Sequence, residues 1–130
     1  MAHILIAEDE MAVRLFVSRA LERHGHSIVG VEDGGAAVEA LAEDAFDLLL
    51  TDIVMPVMDG IALALKASAE HPKMPILMMT GYSHEIQRAH NLECLIHDVI
   101  SKPFSLDELC KTVDTILKSQ KSQKNQKSLH

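Results

Sequence analysis

A chain of 130 residues with 48% hydrophobic and 24% charged side chains has room for one globular domain with a real core and little besides. A formal net charge of -7 argues against general binding to DNA or anionic membranes, and the scarcity of aromatics, with no Trp, argues against a stacking platform for nucleic acid. No apolar run approaches the roughly 20 residues of a membrane-spanning helix, no secretory leader is legible after Met1, and the two cysteines, Cys94 and Cys110, fit a reducing cytoplasm better than a disulfide framework.

Strand-like and helix-like segments alternate along the chain. His3-Ile4-Leu5-Ile6-Ala7 is a short apolar run of the kind found in a strand covered on both faces. The acids Glu8-Asp9-Glu10 follow, then a helix with Val13, Phe16, Val17, Ala20 and Leu21 on its expected buried face, stopped by Gly25. Residues 27–31 read as a second strand, and Gly34-Gly35 opens a helix built around Val38 and Leu41. Residues 46–51 carry Leu48-Leu49-Leu50 and run straight into Asp52. A loop through Pro56 and Gly60 leads to a helix with Ile61, Leu63 and Leu65, which His71-Pro72 must end. Residues 76–79 form a fourth strand that stops at Thr80-Gly81. A polar, weakly amphipathic helix is expected over 83–91, and a short fifth strand over 99–101 precedes Lys102-Pro103. Ser105-Leu106-Asp107-Glu108 is a capping-box pattern at the head of a last helix whose buried face is Leu109, Val113, Ile116 and Leu117. From Ser119 only Ser, Gln, Asn and Lys recur, so a domain over 1–118 and a disordered tail over 119–130 are expected.

Five strands alternating with five helices imply an α/β protein, a five-stranded parallel sheet with helices on both faces. Right-handed crossovers favour the flavodoxin-like strand order 2-1-3-4-5. In such sheets the site forms at the carboxyl edge of the strands. Glu8, Asp9, Asp52, Thr80 and Lys102 each sit just beyond an apolar strand.

Like charges at short range repel, so three acids from two strands call for a cation. A hard divalent ion with oxygen ligands, Mg²⁺ where phosphate joins the shell, suits Asp9 and Asp52 directly, Glu8 directly or through water, and the backbone carbonyl of Val54. Asp52 beside such an ion is placed to attack an in-line phosphoryl group, with Lys102 as a second positive point and the Thr80 hydroxyl on a remaining oxygen. Singly these residues are unremarkable: an acid pair at a helix start is often an N-cap, and Asp9 is expected to cap its helix. Their joint placement carries the signal.

Ile4-Leu5-Ile6-Ala7-Glu8-Asp9-Glu10, the run from Asp47 through Asp52 and Pro56 to Asp59-Gly60, Thr80-Gly81 and Lys102-Pro103-Phe104 resemble the receiver domains of bacterial two-component response regulators, over residues 1 to about 118. The resemblance implies that a histidine kinase or histidine phosphotransfer protein phosphorylates Asp52, that self-phosphorylation and dephosphorylation there are the chain's only chemistry, and that Lys102-Pro103 is cis. Two positions depart from the family. Glu8 replaces the usual aspartate, and Val99 replaces the Tyr or Phe that swings inward on activation, so loop and helix shifts must carry the signal. Val54 and Tyr82 flank Asp52 and are expected to tune water access.

Nothing resembling an output domain follows residue 118, so output is expected from the receiver surface, on the face made by 83–91, the fifth strand and the last helix. Ala7-Glu8-Asp9, Leu21-Glu22-Arg23-His24-Gly25-His26, Thr51-Asp52-Ile53-Val54-Met55-Pro56 and Val99-Ile100-Ser101-Lys102-Pro103-Phe104 are similar to the CpdR type of single-domain receiver. That type implies an adaptor for the AAA+ protease ClpXP, meeting ClpX and protease substrates and active when unphosphorylated, in cell-cycle control. A phosphorelay intermediate between kinase and phosphotransfer proteins would use the same pocket. An aspartate-nucleophile phosphatase would usually carry a second acid where Val54 stands. A Zn²⁺ set of His84, His90, Cys94 and His97 is disfavoured, because the segment must bend from helix to strand.

Overall fold

The structure, a computed structural model, describes residues 2–81 and 98–128. Five strands, β1 (His3–Ala7), β2 (Ser27–Val31), β3 (Leu48–Asp52), β4 (Ile76–Thr80) and β5 (Asp98–Ser101), pair in parallel in the order β2-β1-β3-β4-β5. Among the described residues four helices accompany them: α1 (Met11–Arg23), α2 (Gly34–Glu43), α3 (Gly60–Glu70) and α4 (Leu106–Ser128). The expected helix over 83–91 and the His84, His90, Cys94 and His97 set lie outside the described residues.

The period-2 alternation of the strands separates two cores. Leu5, Leu49, Ile76 and Met78 pack under α2 and α3, while Ile4, Ile6, Leu48, Leu50, Leu77 and Met79 pack under α1 and α4. The central strands β3 and β4 are buried at every position, which is why they read as unbroken apolar runs; the edge strands β2 and β5 are half exposed.

Helix ends follow local chemistry. Gly25, at φ 98°, lets α1 close with His26 N–H on the Leu21 carbonyl and Gly25 N–H on the Glu22 carbonyl, satisfying two terminal carbonyls. Asp33 and Asp59 cap α2 and α3 through bonds from the Ala36 and Ala62 N–H groups, and Ser105 Oγ accepts from Glu108 N–H at 3.1 Å. The expected cap by Asp9 is not made. Glu10 is the N-cap of α1, without a side-chain bond, so Asp9 stays one residue outside the helix.

Phe16, on the expected buried face of α1, is 45% exposed. In α3 Leu65 is 49% exposed and Ile61 packs half-buried against the core, while Ala64 and Ala67 are buried beside Leu63. Helix α4 also continues to Ser128, ten residues past the expected boundary at 118. Lys and Gln lose little side-chain freedom in a helix, so a composition too polar for a core is still compatible with one. No helix among the described residues is long and apolar enough to cross a membrane.

Candidate functional site

Strand parity decides which polar residues meet. Glu8, Asp52 and Lys102 continue the alternation of Ile6, Leu50 and Ile100, so all three emerge on the α1 and α4 side of the sheet edge. Thr80 follows Met79 and has the opposite parity. It is fully buried, and its backbone carbonyl accepts from the Lys102 N–H at 2.7 Å. The Lys102-Pro103 peptide is cis, as the resemblance implied.

Lys102 Nζ donates to Glu8 Oε1 at 3.1 Å and to Asp52 Oδ2 at 3.2 Å. The second oxygen of Asp52 accepts from Ile53 N–H at 2.9 Å, which fixes the carboxylate in plane. Glu8, Asp9 and Asp52 each offer a carboxylate oxygen, all within 4.8 Å of one another; Glu8 and Asp52 are buried and Asp9 is exposed. Val54 lines the cavity of about 760 Å³ in front of them, as do Asp9, Asp52, Gly81 and Lys102. Thr80 is not among the residues that line it.

Glu8 and Asp52 crowd each other. Burial first, and the Asp52 carboxylate beside it second, push Glu8 from the ordinary carboxylate value of 4.5 up to about 8, while Lys102 pulls the other way. Burial disfavours the charge on Lys102, but the Asp52 and Glu8 carboxylates more than offset it and hold its ammonium above its usual range. As a carboxylate, Glu8 has its buried Oε2 without a donor to satisfy it; a bond to Asp52 needs the Glu8 proton. A lone buried carboxylate oxygen facing two others, in a set made only of oxygen donors, suits a hard divalent cation. The residues present therefore fit the ion that the acidic triad calls for.

Two features of this site were missed in the sequence. The cavity has an apolar side made by Val13, Phe16 and Phe104, because the acids open toward α1. Phe16, which the helical period assigns to the core, is instead on that wall. Arg14 Nη1 also donates to the backbone carbonyl of Glu8 at 2.8 Å. The available signal was Gly30, a glycine inside β2 on the side that faces α1.

A receiver-domain family model, described as "Response regulator receiver domain", matches residues 4–114. The chain belongs to this family. Among curated proteins it is 39% identical to the response regulator receiver protein CpdR of Brucella abortus, over 90% of this chain and 98% of that protein. It is 30% identical to the response regulator MprA of Mycobacterium avium, over 97% of this chain but 55% of that protein. Among solved structures, the receiver domain of a signal transduction histidine kinase from Syntrophus aciditrophicus superimposes with a TM-score of 0.83 at 30% identity, covering 92% of each chain. NtrX from Brucella abortus gives a TM-score of 0.92 at 27% identity over 99% of this chain and 30% of that one. The α/β flavodoxin-like fold in the order 2-1-3-4-5 is thus the fold of this family, and the chain is a response-regulator receiver domain.

Proposed function

We propose that this chain is a phosphorylation-controlled receiver whose unit spans 1–118, acting in the cytoplasm, that takes a phosphoryl group on Asp52 from a histidine kinase or histidine phosphotransfer protein. The observation that carries the reading is the Glu8, Asp9 and Asp52 cluster facing Lys102, with one buried carboxylate oxygen left without a donor. Glu8, Asp9, Asp52 and the Val54 carbonyl would hold Mg²⁺, which neutralises charge on the phosphoryl oxygens when bound. Asp52 forms the new O–P bond as the donor's bond to phosphorus breaks and the electron pair leaves with the donor. Lys102, already within 3.2 Å of the Asp52 carboxylate, would move its ammonium onto a phosphoryl oxygen, and the Thr80 hydroxyl would take another. Water later attacks the phosphorus, the Asp52 O–P bond breaks, and inorganic phosphate leaves as the carboxylate is restored.

Phosphorylation replaces a singly charged carboxylate by an acyl phosphate that carries about -1.5 to -2, and this change of charge and shape is the message, read by protein partners rather than by nucleic acid. Similarity to CpdR along nearly its whole length supports output of that type: an adaptor for ClpXP that meets ClpX and protease substrates in cell-cycle control, active when unphosphorylated. Pull-downs with wild-type and Asp52→Ala protein test this. Recovery of a ClpX-type unfoldase that changes with Asp52 supports the adaptor. Recovery of kinases and phosphotransfer proteins alone, equal for both proteins, supports the phosphorelay alternative.

A further inference from the structure

Position 30 lies in β2 two residues after Ile28, on the side that faces α1, and is exposed in this edge strand. A glycine there weakens an edge strand unless something must approach it closely. What approaches is Arg14. A Cβ on Gly30 would meet Arg14 Cγ and Cδ at 3.4 Å each and Ser18 Oγ at 3.6 Å, so the arginine stem lies in van der Waals contact over the glycine and a side chain larger than a methyl would compete with it for that space.

That path delivers the guanidinium to one atom. Arg14 Nη1 donates at 2.8 Å to the carbonyl of Glu8, the peptide group joining Glu8 to Asp9. The other end of Glu8 is held too, by its N–H on the Val31 carbonyl at 3.0 Å. Rotation of the Glu8–Asp9 peptide plane would redirect both acidic side chains, one buried and one exposed. A charge-assisted bond to its carbonyl resists that rotation and places fixed positive charge behind a cluster of three acids.

We propose that Arg14, threaded over Gly30, is a positioning residue for divalent-ion binding: it orients the Glu8–Asp9 peptide and so sets the affinity of the acidic cluster without touching the ion. The inference rests on the reading of that cluster as the Mg²⁺ site. Hydrogen-bond partners that orient metal ligands typically contribute 10–100-fold in affinity. Arg14→Gln is therefore expected to weaken Mg²⁺ binding about 10-fold or more, measured by titration of the folded protein. Arg14→Lys, which keeps charge and a donor but loses the fork, is expected to fall between the two. Gly30→Val, with Arg14 unchanged, should reproduce the loss by pushing the stem aside.

Phosphorylation by acetyl phosphate separates positioning from general damage. The Arg14→Gln rate should drop at subsaturating Mg²⁺ and return to the wild-type rate at saturating Mg²⁺, whereas a misfolded site would stay slow at both. Unchanged Mg²⁺ affinity in both Arg14→Gln and Gly30→Val, with a normally binding wild type, overturns the role of Arg14 alone. A wild type that binds no Mg²⁺ overturns the reading of the cluster and this inference with it.

Discussion

Replacing Glu8 by Gln should stabilise the metal-free protein at alkaline pH and leave it nearly unchanged in mild acid. Gln has the shape of the protonated acid: its oxygen can accept from Lys102 and its amide can donate toward Asp52. The raised Glu8 value fixes the sign. In the unfolded chain Glu8 ionises near 4.5, and in the fold only near 8, so its contribution is fully present below pH 4.5 and lost as pH rises through 8. Between those limits the unfolded state releases the proton first, and wild-type stability declines relative to Glu8→Gln. The full shift corresponds to a ceiling of about 5 kcal/mol. Lys102 lies against the same carboxylate and keeps its charge across this range, which favours the ionised acid, so the plateau falls below that ceiling. The assay is urea denaturation of both proteins in EDTA from pH 5 to pH 9. A stability difference that is flat across this range would refute the argument. Excess Mg²⁺ should reverse the order, because the ion stabilises the ionised acid and gains less from an amide.

Other consequences are more local. A methyl on Gly60 would sit 2.0 Å from the Asp52 carbonyl oxygen and 2.9 Å from Ile53 Cα, both backbone. Gly60→Ala should cost about 3 kcal/mol in urea denaturation and slow phosphorylation by shifting the end of β3; a near-neutral result would show that the loop yields freely. Val57 holds φ 70° while 83% exposed, so Val57→Asn should raise stability by about 1 kcal/mol in the same assay. Ser105→Ala removes the bond from Glu108 N–H and should lower stability by about 1 kcal/mol, with a matching fall in thermal midpoint. The apparent Mg²⁺ affinity of the wild type should weaken as pH falls below about 8, since binding must displace the Glu8 proton. Affinity that holds constant from pH 8 to pH 6 would contradict a protonated Glu8.

Much of the architecture was legible because strands buried on both faces leave uninterrupted apolar runs. Leu48-Leu49-Leu50 shows a central strand directly, and the runs of β1, β3 and β5 lead to Glu8, Asp52 and Lys102 in the site. Faces were less legible than elements. Phe16 fits the helical period of α1, yet it lies over the acidic cavity rather than the sheet, a difference that depends on how far α1 extends past the strand ends. In α3 the small residues Ala64 and Ala67 take the close contact, and Leu65 is left outside. Periodicity cannot rank an alanine above a leucine for burial when the gap between layers is narrow. Arg14 was invisible for a different reason: its partner is a backbone carbonyl, which leaves no mark on sequence. Only the empty place at Gly30 hinted at it. Asp9, one residue short of capping α1, shows that an N-cap pattern locates a helix start to within a residue, not to the atom.

The central claim is that Asp52 is the phosphoryl acceptor of an Mg²⁺-dependent site. Intact-mass measurement after incubation with acetyl phosphate, followed by reductive trapping of the acyl phosphate and peptide mapping, tests it most directly. The account predicts the addition of a single phosphoryl group, mapped to Asp52, lost in Asp52→Ala and abolished by EDTA. A group that maps elsewhere, or that forms equally well in Asp52→Ala or in EDTA, would contradict it.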